Sequence, residues 1–444
     1  MARTLSKGLL AYGTIWAGQC ASLIGSDMTN FAVTLWAWEQ TGQATPISLL
    51  VFFTLTPKVA VSLFAGIWVD RYNRKQLMLL GNGVAGLSTI VILILLQTHR
   101  LSLWHLFISC GVNSLFSYIQ NLSFSASTTT LISKQHYGRA GAMNALKSSG
   151  AYVFAPAFAG ALYPWTGLIG VLGIDLLTFG LAMISLWLID IPQPVQKEQP
   201  QAWQQQIMFG FRYISQQPGL RAILIFLCSS NLFTSASVAI MPAVILLRSG
   251  NDVRLLAMVQ SALGLGGILG AMVLSISGGL TPRIYGLLLG IALPQLGWIT
   301  ISMVEGKWVW VVLAFASACF MPLAGASNQA IWLAKVDPNL QGRVFATRYL
   351  LAQASTPIGA AIAGPLSDHL FEPALQSQGI LSTSIGSWLG TGPGMGTALQ
   401  LSLFALCNLL IGLSGYGFRQ LREVENLIPD FDQNSPIRSW AIKE

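Results

Sequence analysis

Three charged residues lie well inside long apolar stretches of the sequence, where an ionisable group is the exception. They are Asp27, Lys58 and Asp175. Charge is costly in such a setting, so each of them is a candidate for a functional role. A carboxylate that gains and loses a proton there can couple proton movement to the movement of a solute. We expect Asp27 to serve in coupling or substrate contact, and Asp175 in coupling or in a hydrogen bond between helices.

Lys58 is expected to face the interior of the molecule. It precedes Asp70 by 12 residues, which corresponds to about 18 Å along a helix, so its ammonium group reaches water poorly. One role for it is contact with a cavity. The alternative is a permanent pair with Asp27, because the estimated depths of the two residues differ little.

Four further polar residues are candidates to line a cavity. They are Asn113, Gln120, Asn121 and Lys147. Lys147 and Arg348 lie one or two helical turns into their apolar stretches, and they could instead reach the membrane interface or close a gate. Asp368 lies near the other end of the stretch that holds Arg348, and we expect it to cap a helix or to meet solvent.

The sequence contains none of the common motifs of metal or nucleophilic catalysis. It has no HExxH, GxSxG or GKS/GKT motif, and its five cysteines all lie in apolar stretches without a CxxC pair. We therefore expect neither a metal nor a cofactor. A membrane-embedded enzyme would need convergent catalytic groups, such as a pair of aspartates, and the sparse acids of the apolar stretches form no obvious pair.

Composition places the chain in a membrane. Of its 444 residues, 53 % are hydrophobic and 9 % are charged, whereas a soluble protein carries roughly 25 % charged residues. Twelve stretches are long and apolar enough to cross a bilayer as a helix. They cover residues 9–37, 46–69, 76–98, 103–132, 141–163, 167–189, 219–247, 253–279, 284–304, 308–334, 344–370 and 396–418. The predicted fold class is an all-α polytopic membrane protein with twelve transmembrane helices.

Basic residues indicate the orientation of these helices. The net charge is +8, and 17 of the 21 basic residues that lie in the gaps or at the ends of the apolar stretches fall on one side if there are twelve spans. Loops rich in Lys and Arg remain in the cytoplasm, so both termini of this multi-pass membrane protein are predicted to be cytoplasmic. The expected partner is the lipid bilayer and not nucleic acid, since no basic stripe with exposed aromatics occurs.

The chain divides into two halves with six spans each. The predicted units are residues 1–189, a cytoplasmic central loop at 190–218, residues 219–418 and a cytoplasmic tail at 419–444. Within the loop, apolar residues recur at helical spacing, which favours an interfacial amphipathic helix, although a plain linker is the alternative. They are Trp203, Ile207, Met208, Phe211 and Ile214.

A trace of duplication relates the two halves. Gly138-Arg139 opens the fifth span and Gly342-Arg343 opens the eleventh, and Gly160 and Gly364 follow at the same offset. Parallel repeats of six spans are a common way to build a central transport site.

One loop carries the motif of a known family. After the second span, the residues from Gly66 to Lys75 read GIWVDRYNRK. This segment resembles the GxLaDRxGRK signature of the major facilitator superfamily, in the loop where that signature is expected. The matching positions are Gly66, Asp70, Arg71, Arg74 and Lys75. Asn73 replaces a glycine, and because Asn is tolerated at positive φ we expect the tight turn to be kept.

Softer matches resemble the branch of that superfamily that holds macrolide-efflux proteins and the enterobactin exporter. They are the segments 210–213, 218–221, 342–345 and 364–368 and the pair Ile174-Asp175. The resemblance implies a monomer of two six-helix bundles around a central cavity, in the bacterial inner membrane. It also implies export of amphipathic small molecules with protons as the coupling ion. Uptake and lysophospholipid movement by the same fold remain alternatives, and a membrane-embedded enzyme or scaffold is a remote one.

The same resemblance suggests a gate. It places Asp70, at the end of the second span, beside the start of the eleventh span when the cavity opens outward. Gly342, Arg343 and Arg348 belong to that second-half side of the gate. A carboxylate is stabilised at a helix N-terminus, so we expect Asp70 to latch the outward-open state. The alternative is that Arg71, Arg74 and Lys75 only set the topology and pair with Asp70 locally.

Overall fold

Helices dominate the fold because a helix satisfies its own backbone hydrogen bonds in an apolar medium. The computed structural model describes residues 2–193, 203–338 and 340–431. The first half contains α1 (Ala2–Thr41), α2 (Ala44–Arg71), α3 (Arg74–Gln97), α4 (Leu103–Leu131) and α5 (Tyr137–Trp187). The connecting stretch contains α6 (Trp203–Ser215). The second half contains α7 (Pro218–Ser249), α8 (Val253–Ser277), α9 (Arg283–Met303), α10 (Lys307–Lys335), α11 (Gln341–Gln353) and α12 (Thr356–Leu366). It ends with the short α13 (Glu372–Ala374) and α14 (Gly386–Leu389), then α15 (Met395–Ser414), α16 (Arg419–Arg422) and α17 (Val424–Leu427).

The twelve predicted spans all correspond to helices. Eight helical stretches, with α5 counted as one, are individually long and apolar enough to cross a membrane. The remaining spans are α1, α4 and the α11–α12 pair. The first two carry many polar side chains and the third is interrupted, which explains why they are less apolar or shorter. The all-α fold of two six-helix bundles is therefore confirmed.

The predicted boundary between the fifth and sixth spans is confirmed: Gly167, with φ 60° and ψ −163°, is not helical and separates two helices within the range of α5. One predicted span is wrong because its helix breaks where apolar length gives no signal. The eleventh span is broken between α11 and α12, where Pro357 cannot donate to the preceding turn. α7 supports this break, since Asn231 donates to the Ala352 carbonyl at 2.7 Å and Ser235 to that of Thr356 at 2.7 Å.

Asn73 does not adopt the positive φ expected from its replacement of a glycine. Its φ is −63°, and its side chain accepts hydrogen bonds from the backbone N–H groups of Lys75 and Gln76. Asn73 is therefore the N-cap of α3. Asn is favoured in that role because its side-chain oxygen satisfies N–H groups that have no partner within the helix.

The part of the stretch between the bundles at residues 203–215 is helical, as expected for an amphipathic helix rather than a plain linker. α6 packs against α11, where a Cβ at Gly210 would overlap the Thr347 side chain. The Arg343 guanidinium lies 5.8 Å from the Phe209 ring centroid. Helix α6 therefore contacts the start of α11 in addition to any contact with lipid. The predicted apolar side chains Trp203 and Ile207 lie outside the described side chains.

The last described residues form a strap beneath the second bundle, comprising residues 419–431. The buried Lys335 at the end of α10 donates to the Glu425 carbonyl at 2.8 Å and to the Ile428 carbonyl. It also forms an ion pair with Asp430 at 2.7 Å. Glu425 accepts from the Ile284 N–H at the start of α9 at 3.1 Å. The strap thereby joins α9 and α10 through their ends.

The bundles meet along two helix pairs, α5 with α8 and α2 with α12. We call the face where α1 begins and α15 ends the terminal face, and the opposite one the far face. Toward the far face, a Cβ at Gly160 would overlap that of Ala257, and one at Gly364 would stand 2.5 Å from the Thr45 Cα. The glycine pair found as a repeat in the sequence therefore lies at two of the close approaches between the bundles.

The close approach at Gly364 predicts that a larger residue there keeps the far face from closing. Gly364→Val should separate α12 from α2, because the side chain would enter the α2 backbone. The reporter is a single cysteine at Ser261, whose hydroxyl donates to the Val153 carbonyl across the bundle contact at 2.9 Å, in a variant whose native cysteines are replaced. We expect its labelling by a membrane-impermeant thiol reagent from the far side to rise about tenfold or more, the factor for roughly 1.4 kcal/mol.

Gly180→Val is the matched control for this substitution, because nothing lies within 4 Å of a Cβ at that exposed position of α5. Equal labelling in the two valine variants would show that the glycine contact does not govern closure.

Candidate functional site

A polar cavity of about 370 Å³ lies in the first bundle between α1, α4 and α5. Its lining residues are Leu23, Asp27, Asn121, Ser125, Asn144, Lys147 and Ser148. They lie on single helix faces, since Asn121 and Ser125 are four residues apart and Asn144 and Ser148 flank Lys147 at the same helical spacing. The cavity thus offers one carboxylate, one ammonium and several amide and hydroxyl groups to a ligand.

Lys147 is the basic group of this cavity. Only 6 % of the residue is exposed. Its ammonium donates to the Asn121 Oδ1 at 3.2 Å and lies 4.8 Å from the Phe124 ring centroid. Among the residues that the structure describes, no carboxylate forms an ion pair with it. Its charge is therefore held by an amide oxygen and an aromatic face alone.

Asp27 is the acidic group of the same cavity. Asn30 lies beside its carboxylate, and Lys58 acts on it electrostatically. Lys58 is half-buried on α2, just after Pro57. The predicted pair of Asp27 and Lys58 is not formed as a contact within 4 Å in this structure. The two charges are thus neighbours in the first bundle, and only Asp27 lines the cavity.

Asp175 lies apart from the cavity, in the packed region between α5, α3 and α1. It is 1 % exposed and accepts a hydrogen bond from Thr89 at 3.0 Å. Gly25 allows α1 to approach, since a Cβ there would stand 3.0 Å from the Asp175 Oδ1. This geometry supports the expected hydrogen bond between helices.

Two of the four predicted cavity residues are placed elsewhere. Gln120 is 9 % exposed and donates to Gln19 at 2.5 Å and to Asn82 at 2.7 Å. Asn113 donates to Ser88 at 3.3 Å and to Ser109 at 3.4 Å. Both side chains therefore join helices inside the first bundle. Sequence reasoning missed Ser125, Asn144 and Ser148, which the helical spacing from Asn121 and Lys147 could have indicated.

The basic residues of the family motif tie their loop to the first bundle. The buried Arg74 donates to the Ala126 carbonyl of α4 at 2.8 Å. Lys75 lies 3.4 Å from Asp190 and 3.3 Å from the Trp187 carbonyl. Asp70 is exposed, and its carboxylate makes no hydrogen bond or ion pair within the described ranges. Arg71 is exposed on the same turn of helix, and Gly66, one turn earlier, meets no neighbour within 4 Å of a Cβ.

The second-half gate residues divide into two groups. Gly342 is exposed at the start of α11, and nothing lies within 4 Å of a Cβ there. Arg343 faces α6. Arg348 is held within the second bundle, where its guanidinium donates to Gln329 at 2.9 Å and lies 4.9 Å from the Phe345 ring centroid. In this conformation both of these contacts of Arg348 lie within the second bundle.

Asp368 joins the bundles at the far face. Its carboxylate accepts from the backbone N–H groups of Ala44 at 2.9 Å and Thr45 at 2.7 Å, and from the Thr45 hydroxyl at 2.5 Å. The expectation that Asp368 caps a helix is thus fulfilled, and the helix that it caps, α2, belongs to the other bundle. Ser48 of α2 in turn accepts from the Gly364 N–H at 3.1 Å.

Glu372 makes the same arrangement of contacts inside its own bundle. It accepts from the N–H groups of Gly394 at 2.5 Å and Thr397 at 3.0 Å, and from the Thr397 hydroxyl at 2.9 Å. A third contact between the bundles joins the Trp38 indole to the Asn251 Oδ1 at 2.8 Å. The far face is therefore closed.

The cavity opens toward the terminal face. Its lining residues on α4 and α5 lie in the halves of those helices nearer that face, and Asn121, Ser125 and Ser148 are exposed. The contacts at Trp38, Thr45 and Gly364 block the other direction. Within the described residues, this conformation therefore gives access to the cavity from the terminal side.

Comparisons with known proteins agree with this arrangement. The sequence matches the family described as Major Facilitator Superfamily over residues 15–360. Macrolide efflux protein A of Streptococcus pyogenes is 24 % identical over 371 residues, which cover 81 % of this chain and 90 % of that protein. Enterobactin exporter EntS of Shigella flexneri is 25 % identical over 232 residues, which cover 50 % of this chain and 54 % of that protein.

A solved structure has the same fold. It is a bacterial homologue of the human lysosomal transporter Spinster in an inward-facing and unoccupied conformation. It matches with a TM-score of 0.65 and 14 % identity, over 91 % of this chain and 97 % of that one.

The contacts of Asp368 predict that neutralising this side chain favours opening of the far face. Asp368→Asn keeps the size of the residue and removes the charge that α2 stabilises. Hydrogen bonds to charged groups contribute about 1.5–3 kcal/mol, so labelling of Ser261→Cys from the far side should rise about tenfold or more. Labelling of Ser148→Cys, in the cavity, should fall.

Glu372→Gln is the control, because it removes an equivalent charge from a cap within one bundle. We expect it to lower thermal stability without changing the ratio of labelling at the two cysteines. The same ratio in both variants would mean that the inter-bundle cap does not bias the conformation.

Proposed function

The chain belongs to the Major Facilitator Superfamily, and on that basis we propose that it exports amphipathic small molecules from a bacterial cell by alternating access. The observation that carries this proposal is a polar cavity that is closed at the far face and open at the terminal face. Export is favoured over uptake because relatives that cover most of this chain are named as efflux proteins. Uptake and lysophospholipid movement are the alternatives that use the same fold.

The moving parts in this mechanism are the two bundles, residues 1–189 and 219–418, joined by the stretch 190–218. The pairs α5–α8 and α2–α12 would act as pivots, and their contacts nearer the far face, at Ser261 and Gly364, would separate as the far-face hydrogen bonds break. Such rocking around a fixed site is how transporters built from repeats expose it to each side in turn. Lys147 and Asp27 would then face the opposite compartment without a large change inside the first bundle.

The terminal face is assigned to the cytoplasm. The basic residues of the gaps near this face include Arg74, Lys75, Arg139 and Lys335, and cytoplasmic loops carry such an excess. With this assignment the structure represents the inward-open state, and the membrane is the bacterial inner membrane. The transporter would load its solute from the cytoplasm or the inner leaflet in this conformation.

Transport is tested directly in sealed proteoliposomes. Purified protein should accumulate a labelled macrolide against its concentration gradient when the compartment that receives it is acidic, and should not do so without a pH gradient. A protein that moves no amphipathic solute under any gradient would overturn the proposal and leave a membrane-embedded enzyme or scaffold as the alternative. Movement in the opposite direction relative to the gradient would establish uptake.

Asp27 is proposed as the group that carries the coupling proton. It is the acid that lines the cavity, and both bulk sides could reach it in turn. Asp27→Asn should therefore abolish accumulation driven by a pH gradient, while binding of an uncharged amphipathic solute persists. The measurement is uptake into proteoliposomes over a series of imposed gradients.

Asp252→Asn is the control for loss of a carboxylate. Asp252 lies outside the spans, where a hydrogen bond from Lys307 holds the pKa of its carboxyl below the usual range. Gradient-driven accumulation that persists at the wild-type level in Asp27→Asn would rule out this residue as the proton carrier.

Asp70 is proposed as the latch of the opposite, outward-open state. In the present conformation its carboxylate is exposed, as is Gly342 at the start of α11. A carboxylate near a helix N-terminus contributes up to about 2 kcal/mol, so Asp70→Asn should shift the population toward the inward-open state. Labelling of Ser148→Cys should then rise and that of Ser261→Cys should fall, opposite to Asp368→Asn. Unchanged labelling at both sites with full transport would leave the motif only a topological role.

A further inference from the structure

The cavity holds two opposite charges that do not neutralise each other. Asp27 comes from α1 and Lys147 from α5, and both line the same space of about 370 Å³. Neither takes part in an ion pair within 4 Å among the described residues. Charges at membrane depth are usually paired with one another, so an unjoined acid and base in one cavity leave room for a ligand between them.

Lys147 retains the capacity to bind an acidic oxygen. An ammonium group has three N–H donors, and among the described residues the hydrogen bond of Lys147 is the one to Asn121 at 3.2 Å. The residue is 6 % exposed, so few water molecules can satisfy the remaining donors. A buried charge without a counter-ion destabilises the folded protein, and a ligand group of opposite charge would remove that cost. A carboxylate, phenolate or phosphate oxygen of a ligand would supply that partner.

Asp27 can likewise bind a basic nitrogen of a ligand. A carboxylate offers about four acceptor positions, and the group that lies beside it is the amide of Asn30. Lys58 acts on it from beyond the distance of an ion pair. A basic nitrogen of a ligand could therefore take the position of the missing cation, while Leu23 offers an apolar contact one helical turn away.

We propose that this cavity binds zwitterionic amphipathic molecules, with the acidic oxygen at Lys147 and the basic nitrogen at Asp27. The inference rests on the proposed function, because the ligand is the transported solute. It also explains exchange: the ammonium of the ligand and a proton compete for the same carboxylate, so binding of one releases the other. A neutral zwitterion would then leave the cavity as a proton enters.

A series of four fluorescent probes with one dansyl group and similar alkyl chains tests the assignment. The zwitterion is Nε-dansyl-lysine, the cation is dansylcadaverine, the anion is 6-(dansylamino)hexanoate and the neutral probe is N-hexyldansylamide. Full-length protein in nanodiscs should bind the zwitterion at least about tenfold more tightly than either singly charged probe, which is roughly 1.4 kcal/mol. The readout is the change of dansyl fluorescence on titration.

Substitutions then separate the two ends of the ligand. Lys147→Met should weaken the two probes that carry a carboxylate about tenfold and leave dansylcadaverine unchanged. Asp27→Asn should weaken the two probes that carry an ammonium and leave the anion unchanged or tighter. Lys307→Met is the matched control, because this exposed lysine pairs with Asp252 on the far face, and the order of the four affinities should stay as in the wild type.

The neutral probe keeps the outcomes distinct. Variants that bind it as the wild type does are folded and retain the amphipathic site, so a loss confined to one charge reports on that contact. Equal wild-type affinity for all four probes, or equal weakening of all four by Lys147→Met, would overturn the zwitterion site while leaving export in place. Absence of both binding and transport of every probe would overturn the export proposal itself.

Discussion

The N-terminus of α2 presents backbone N–H groups that its own helix cannot satisfy, and this constraint organises the closed far face. A helix end that is buried between two bundles needs an acceptor from one of them. Asp368 supplies it from the opposite bundle, in the position that Glu372 occupies for α15 within a single bundle. The same cap thus lies between the bundles at Asp368 and within one bundle at Glu372, and in the proposed transport cycle only the cap between the bundles would break. The close approach at Gly364 lies beside this cap, at the face opposite the opening of the cavity.

The free energy involved suits a reversible transition. A side-chain cap contributes about 1 kcal/mol, and a carboxylate at a helix N-terminus adds up to about 2 kcal/mol. If Asp70 caps α11 when the terminal face closes, then α2 and the eleventh span exchange one inter-bundle cap for another. Neither state would leave both helix ends without acceptors, and the two states would differ little in free energy. A solute or a proton in the cavity could then decide between them, since each needs to contribute only a few kcal/mol.

The fold was largely predictable from the sequence because the thickness of the bilayer determines the length of each span. The basic residues in the loops between the spans also indicate the number of spans. The repeated Gly160 and Gly364 likewise pointed to equivalent places, where the bundles approach each other closely. The site was less predictable. Asn121 lines the cavity while its neighbour Gln120 joins three helices, because adjacent residues point about 100° apart and membrane helices are apolar on both sides. Asn73 was misjudged because its side-chain hydrogen bonds, rather than the glycine that it replaces, determine its backbone. Arg348 has a long flexible side chain that donates to Gln329, and the spacing of residues along the sequence does not reveal such a contact.

The strap at residues 419–431 has a practical consequence for following the movement of the bundles. Lys335 fastens the strap to the end of α10, and Glu425 fastens it to the start of α9. A fluorophore attached to the strap would be carried by the second bundle as a rigid body. Paired with a second dye near Arg100, on the turn between α3 and α4, it would convert the rocking of one bundle against the other into a change of energy transfer. The chain thus provides an attachment point for single-molecule observation that moves with the second bundle and does not belong to the lining of the cavity.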